Sequence, residues 1–352
     1  MRKLTHYTLS VLLCLLLLHP LLGQRNRRAT PPPPESPMQA STFEGLELRN
    51  IGPAFMSGRI ADLAIHPENP SIWYVAVGSG GVWKTVNAGT TFEPIFDDQP
   101  TYSIGCVSID PSNPEIIWVG TGENVGGRHV AYGDGVYRSA DGGKSWQNMG
   151  LKSSEHISKI IVHPDNSDIV WVAAQGPLWN KGGERGLYKT TDGGQSWTKT
   201  LGDDAWTGVT DIVIDPRNPD QLYAATWQRH RTVAAYVGGG PGTGIYRSTD
   251  GGDNWEKLTQ GLPDTDMGKI GLAISPMEPD ILYAAIELIR RKGGVYRSTD
   301  QGSSWEKRSD AVSGGTGPHY YQELYASAHH FDMIYLADAT MQVSSDDGKI
   351  FT

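Results

Sequence analysis

The sequence is poor in cysteine. Only Cys14 and Cys106 occur in 352 residues, so neither a disulfide framework nor a thiolate metal site is expected. Positive charge is also short: 30 Lys and Arg stand against 39 Asp and Glu, a formal charge of −9. An acidic body with scattered lysines lacks the surface that neutralises phosphates, which excludes nucleic acid as a partner. Beyond residues 1–23 no apolar run is long enough to cross a bilayer, and no convincing helical periodicity follows. Glycine is plentiful instead, with 43 residues, and there are 11 tryptophans.

Residues 1–23, MRKLTHYTLSVLLCLLLLHPLLG, have a basic start and a short apolar run that ends in a small residue. That is the form of a cleavable secretory signal, and it predicts a secreted or periplasmic bacterial protein with no membrane span after cleavage. Cleavage removes two positive charges, Arg2 and Lys3, and moves the formal charge from −9 to −11. Residues 24–42 form a basic, Pro-rich tether. The remaining Cys106 lies alone in the strand-like run IGCVSID.

One pattern organises residues 43–352. GVYRSADGGKSW (135–146) returns as GLYKTTDGGQSW (186–197), GIYRSTDGGDNW (244–255) and GVYRSTDQGSSW (294–305), with weaker copies at 81–92 and 341–351. The closing aromatics are Phe92, Trp146, Trp197, Trp255, Trp305 and Phe351, at steps of 54, 51, 58, 50 and 46 residues. A period of this size marks a repeat architecture. Two short β-branched and aromatic runs precede each copy, a third opens it and a fourth follows it, with turns such as HPENP and DPSNP between the first two. Four strands per unit predict an all-β propeller with six blades visible. The sixth copy ends at KIFT, which suggests a seven-bladed or larger parent, with FEGLELRN (43–50) as a candidate closing strand. Within each copy the Ser or Thr, the aspartate (Asp141, Asp192, Asp250, Asp300, Asp346) and the glycine suit a tight turn. The aromatic is expected to pack back into its blade.

The S/T-x-D-x-G-x-x-W/F copies resemble the Asp-box, or BNR repeat, of sialidases, family 74 glycoside hydrolases and sortilin (VPS10) receptors. The resemblance implies a β-propeller that binds a polysaccharide, or alternatively an extracellular peptide or protein without catalysis. Family 74 enzymes carry an aspartate just before paired glycines in their first blade. The matching stretch here, VGSGGVWK, places Gly78 there, so glycoside hydrolysis is in doubt. Arg59 in SGRIADLAI echoes a sialidase arginine, without the proline that follows it there.

Strand alternation puts the first turn and the box turn of each blade at one end, and the irregular loops at the other. Those loops carry the expected ligand contacts: Arg128, His129, Tyr132, Trp179, Trp206, Arg229, His230, Arg231, Tyr236, His319, Tyr320 and Tyr321. Ring faces stack on sugars, and guanidinium groups fix orientation. Glu123, Asp134 and Glu323 are the carboxylates named for catalysis, although glycosidases need a pair at set separation and spacing alone pairs none of them. The alternative is that these loops pack on one another over the central channel. No cofactor is expected, and His329, His330 and Asp332 match no metal-binding spacing.

Overall fold

Every regular element among the described residues is a β-strand. The computed structural model describes Gly45 and residues 59–288, 292–311, 321–338 and 340–352. All described strands lie in the unit Gly52–Thr352.

Blade one contains Ile60–Ile65, Trp73–Val77, Gly81–Thr85 and Glu93–Pro94; blade two contains Ile104–Ile109, Ile117–Thr121, Val136–Ser139 and Gln147–Asn148. Blade three runs Ile157–His163, Asn166–Ala174, Gly186–Thr190 and Thr198–Leu201. Blade four uses Thr207–Asp215, Asn218–Gln228, Gly244–Ser248 and Glu256–Leu258, with a small hairpin (His230–Arg231, Tyr236–Val237) inserted in its loop. Blade five is Met267–Ile274, Leu282–Leu288, Lys292–Ser298 and Glu306–Ser309; blade six is Glu323–Ala326, Ile334–Ala337 and Gln342–Ser344. Strands follow chain order in each sheet and pair antiparallel. Consecutive first strands pack together from blade to blade, so they surround an axis and the chain forms a six-bladed β-propeller. The sixth sheet differs from the expected four strands by having three, although Val343 and Thr352 exchange backbone hydrogen bonds of 2.9 and 3.0 Å.

The repeated corner accounts for both the blade and its neighbour. In blade two, Ser139 Oγ accepts from Gly143 N at 2.8 Å, and Asp141 Oδ1 accepts from Lys144 N and Ser145 N at 3.0 and 2.9 Å. Two consecutive residues then hold positive φ, 70° and 90° at Gly142 and Gly143, which glycine adopts without strain. The peptide after the box aspartate, or after Asn87 in blade one, reaches the first turn of its own blade. The N–H groups of Ala88, Gly142, Gly193, Gly251, Gln301 and Asp347 donate to Ser71, Glu115, Asp168, Asp220, Asp280 and Asp332 at 2.9–3.0 Å. Both turns therefore share one end, and the long loops occupy the other.

The same position also touches the preceding blade. The hydroxyl of Tyr74 donates to Gly142 O (3.2 Å), Trp171 Nε1 to Gly251 O (2.9 Å) and the Tyr223 hydroxyl to Gln301 O (3.0 Å). Tyr283 donates to the Asp347 side chain. Trp146 Nε1 donates to Ile95 O at 2.7 Å and Trp197 Nε1 to Met149 O at 2.8 Å, both acceptors in the preceding blade. Trp146 and Trp197 thus bridge blades where packing within their own blade was expected, whereas Trp255 and Trp305 also donate within their own corners, to Gly252 O at 3.0 Å and Gly302 O at 3.1 Å. Burying each such ring contributes about 2–3 kcal/mol.

Candidate functional site: a loop canopy over the axis

At the end opposite the box turns, residues 122–127 of blade two are buried throughout and touch all five other blades. Arg59 of blade one donates twice to Glu123, Nε to Oε1 and Nη2 to Oε2, each at 2.5 Å. Tyr321, preceding the first strand of blade six, donates its hydroxyl to Glu123 Oε1 at 2.8 Å. His156 Nδ1 of blade three lies 2.8 Å from the Glu123 carbonyl oxygen. The Asn124 carbonyl accepts from Gln175 Nε2 (3.3 Å) and Lys269 Nζ (3.2 Å), and its side chain donates to Glu323 Oε1 (3.3 Å). Arg229 donates to Val125 O at 2.8 Å, and Arg231 to Gly126 O at 2.8 and 3.1 Å.

Charge explains why the segment is held this way. The hydrogen bond to Glu123 pushes the Arg59 guanidinium above its ordinary range. Burial, reinforced by the Glu123 charge, raises the Tyr321 phenol far above its own, so it acts as a donor. His156 is driven well below the usual imidazole value by burial and then by Arg229, so its ring is neutral. Burial pulls Arg185 and Arg229 down to about 10, which leaves both charged at neutral pH. Arg185 donates to the carbonyls of Gly182, Pro177 and Asn180. Carbonyl oxygens that the loops present inward thus solvate these buried cations.

Beneath the segment lies an axial cavity of about 190 Å³, lined in part by Lys159, Asp211, Lys269, Tyr321, Glu323 and Tyr325. Burial pushes Asp211 up to about 6 and Lys269 down to about 8. Asp62 and Asp211 each accept from an amide of the next blade, Val107 N at 3.1 Å and Leu272 N at 2.7 Å. Asn124, Lys269, Gln175, Arg185 and His156 were not singled out from sequence. One signal was available: the first strands IADLAI, ISKIIVH, TGVTDIVID and MGKIGLAI each place one charged side chain, Asp62, Lys159, Asp211 and Lys269, inside a largely apolar run.

The expected contact residues divide into two groups. Arg229, Arg231, Tyr321 and Glu123 are buried and engaged with the central segment, and Glu323 accepts from Asn124 and Tyr325. Arg231 also lies over the Tyr236 ring at 4.3 Å. The second group faces outward. Tyr132 is 71% exposed and Trp179 41%; Arg128 and His129 are exposed, and Arg128 donates to Val233 O at 3.3 Å. Trp206 and His230 meet with ring centroids 4.6 Å apart, and Arg185 lies 6.0 Å over Trp206. Asp134 accepts from the Tyr137 hydroxyl at 2.8 Å. His319 and Tyr320 lie outside the described residues.

Gly78 lies directly beside this network. A Cβ added there would come within 2.7 Å of Glu123 Oε1. The carboxylate from blade two thus fills the space that a side chain at position 78 would need. Among the described residues no group of three or more His, Cys, Asp and Glu could hold a metal ion, and His329 and His330 sit exposed in a turn over Ser327 Oγ. No helix among the described residues is long and apolar enough to cross a membrane.

Radial sheets stapled by recurrent Ser/Thr–Asp–Gly–aromatic corners define a β-propeller. A sequence model of the Sortilin-Vps10 family, described as sortilin, neurotensin receptor 3, matches residues 134–282. A xyloglucanase from a Paenibacillus species is 31% identical over 241 residues, 61% of this chain and 22% of that protein. The oligoxyloglucan-reducing end-specific xyloglucanase of Emericella nidulans is 26% identical over 218 residues, 57% of this chain and 24% of that one. The crystal structure of the family 74 xyloglucanase from Xanthomonas campestris superposes with a TM-score of 0.63 at 16% identity, covering 83% of this chain and 45% of that chain. The chain is thus a β-propeller similar in sequence to sortilins and to xyloglucanases, and it spans about a quarter of the length of these curated relatives.

Proposed function

We propose that this chain is a secreted, carbohydrate-directed propeller that binds a polysaccharide through the exposed part of its loop canopy. The observation that carries this is the sequence similarity to xyloglucanases over 57–61% of the chain. Trp179 and Tyr132 present ring faces to solvent on that canopy, and Arg128 and His129 add polar groups for orientation. A rigid scaffold with ligand contacts on its loops is the usual division of labour. The secretory part of the proposal rests on residues 1–23.

The role proposed is binding. Glu123 stands at the place of residue 78 but is fully buried and doubly paired with Arg59, so it faces no open position for a sugar and its leaving group. Affinity electrophoresis in gels containing xyloglucan, mixed-linkage glucan or no glycan tests the proposal. Retardation by a β-glucan is expected, with no reducing ends released on prolonged incubation. Unretarded migration in every gel, or steady release of reducing ends, contradicts it.

A further inference from the structure

The first strands carry charge at one level of the axis. Asp62, Lys159, Asp211 and Glu323 pair with Ala76, Ala173, Ala225 and Ala337, and each alanine stands two residues after the second-strand aromatic of its blade. In blade five that level is Gly271, which pairs with Ala285, and Lys269 stands two residues nearer the canopy. Charges on inner strands are costly to desolvate. Asp62 and Asp211 repay that cost by stapling blades, through the next blade's Val107 and Leu272 amides. Lys159 has no such duty.

Two groups lining the axial cavity have hydrogen-bonding capacity that the chain leaves unmet. Lys159 is one: its ammonium lies 5.8 Å from the Tyr325 ring centre and makes no hydrogen bond or ion pair among the described residues. Burial opposes its charge, but Asp62 and the acidic groups beyond it outweigh burial and hold Lys159 well above the ordinary lysine range. Asn124 is the other, at the canopy end. Its Nδ2 donates to Glu323 Oε1 at 3.3 Å, whereas its buried Oδ1 accepts from no described residue. A buried acceptor left without a partner is unfavourable. One group calls for an anion, the other for a donor. The lining turns apolar away from them: Val213, Ile274 and Ala326 continue it toward the first-turn end, and all three are half-buried where Asn124 is buried. The cavity is therefore polar and closed at the canopy, and apolar and open toward the first turns.

We propose that the axial cavity binds a free α-amino acid with an apolar side chain, at a site separate from the polysaccharide surface of the canopy. The ligand carboxylate pairs with Lys159. Its ammonium donates to Asn124 Oδ1 and faces the Asp211 and Glu323 carboxylates, and its side chain lies against Val213, Ile274 and Ala326. A simple anion would leave Asn124 Oδ1 unpartnered and meet two carboxylates. A simple amine would leave Lys159 unpaired and set a second cation beside it. A neutral sugar offers donors but no charge for Lys159. The volume, about 190 Å³, has room for one such small molecule.

Isothermal titration of the 352-residue chain with L-valine, N-acetyl-L-valine and L-valinamide at pH 7 tests the proposal. L-Valine is expected to saturate one site with a Kd below about 1 mM. Acetylation removes the ammonium and amidation the carboxylate, and each should weaken binding about tenfold or more. In Lys159→Met, L-valine and L-valinamide should bind alike, because the group that reads the carboxylate is gone. A lysine that only shaped the cavity would weaken both ligands together and keep the preference. Saturating xyloglucan oligosaccharide should leave the L-valine affinity unchanged. The proposal is overturned by no binding of L-valine up to roughly 10 mM, by equal affinity of the parent chain for all three ligands, or by a preference for L-valine over its amide that survives Lys159→Met. Competition by the oligosaccharide overturns it too, by moving L-valine to the canopy surface. The three-ligand comparison on the parent chain decides the matter even where the variant fails to fold.

Discussion

At the scale of single residues, the box corners show how a short motif acts as a folding device. Asp192 and Asp250 are drawn down to about 2, chiefly by hydrogen bonds from Ser196 and from Asn254. A carboxylate whose folded pKa lies below its unfolded value of about 3.9 adds stability above that value and loses it as pH falls toward the folded one. Chemical denaturation between pH 5 and 2 is therefore expected to show stability dropping below about pH 4, and Asp192→Asn should flatten the decline. Asp211 behaves oppositely. Burial raises it to about 6, so its contribution falls as pH rises from about 4 to 6, and Asp211→Asn should remove that loss in a denaturation series extended up to about pH 7. Ala88 holds φ of 53° in a corner where three blades place glycine at the matching position (Gly142, Gly193 and Gly251) and two place a longer side chain, Gln301 and Asp347, at similar positive φ. Ala88→Gly is expected to raise stability by about 0.5–1 kcal/mol, read as a higher urea midpoint at unchanged slope.

At the scale of elements, the corner and its neighbour form one unit. A Cβ on Gly194 would lie 2.8 Å from the Trp118 ring at a φ of +90°. Gly194→Ala should therefore cost about 2 kcal/mol or more, by crowding and by backbone strain together, and differential scanning calorimetry reads it as a lowered Tm. The repeat itself was legible in the sequence, because strand alternation, proline-bearing turns and Ser/Thr–Asp–Gly corners are local chemistry. The partners of Trp146 and Trp197 in the preceding blade were not, since Ile95 and Met149 offer backbone carbonyls that leave no sequence trace. The canopy was half legible. The loops that carry Arg229 and Arg231 stood out as irregular and basic, but their burial depends on carbonyls of residues 125 and 126, about 105 positions away. Trp179 and Tyr132 remained outside because no other loop among the described residues covers them.

At the scale of the whole molecule, the two ends of the propeller divide the work. One end is locked by repeated turn-to-turn hydrogen bonds. The other is spanned by residues 122–127, whose backbone is gripped by side chains from blades three, four and five and whose Glu123 is tied to Arg59 and Tyr321. Glu123→Gln keeps the shape and removes the charge facing Arg59, with Arg59 still partly solvated. Because the blades share this tie, the change is expected to lower the thermal midpoint and speed hydrogen exchange in residues 122–131 together. A lowered midpoint with no change in that exchange would place the effect elsewhere in the fold.

The most direct measurement of the central claim is isothermal titration of xyloglucan oligosaccharide into the chain and two exposed-site variants, one from each end. Trp179→Ala on the canopy should weaken binding roughly tenfold, about 1.4 kcal/mol, while Lys144→Ala at a box corner should leave it unchanged. Equal affinities for Trp179→Ala and the parent chain, or loss confined to Lys144→Ala, would contradict the assignment of the ligand to the canopy.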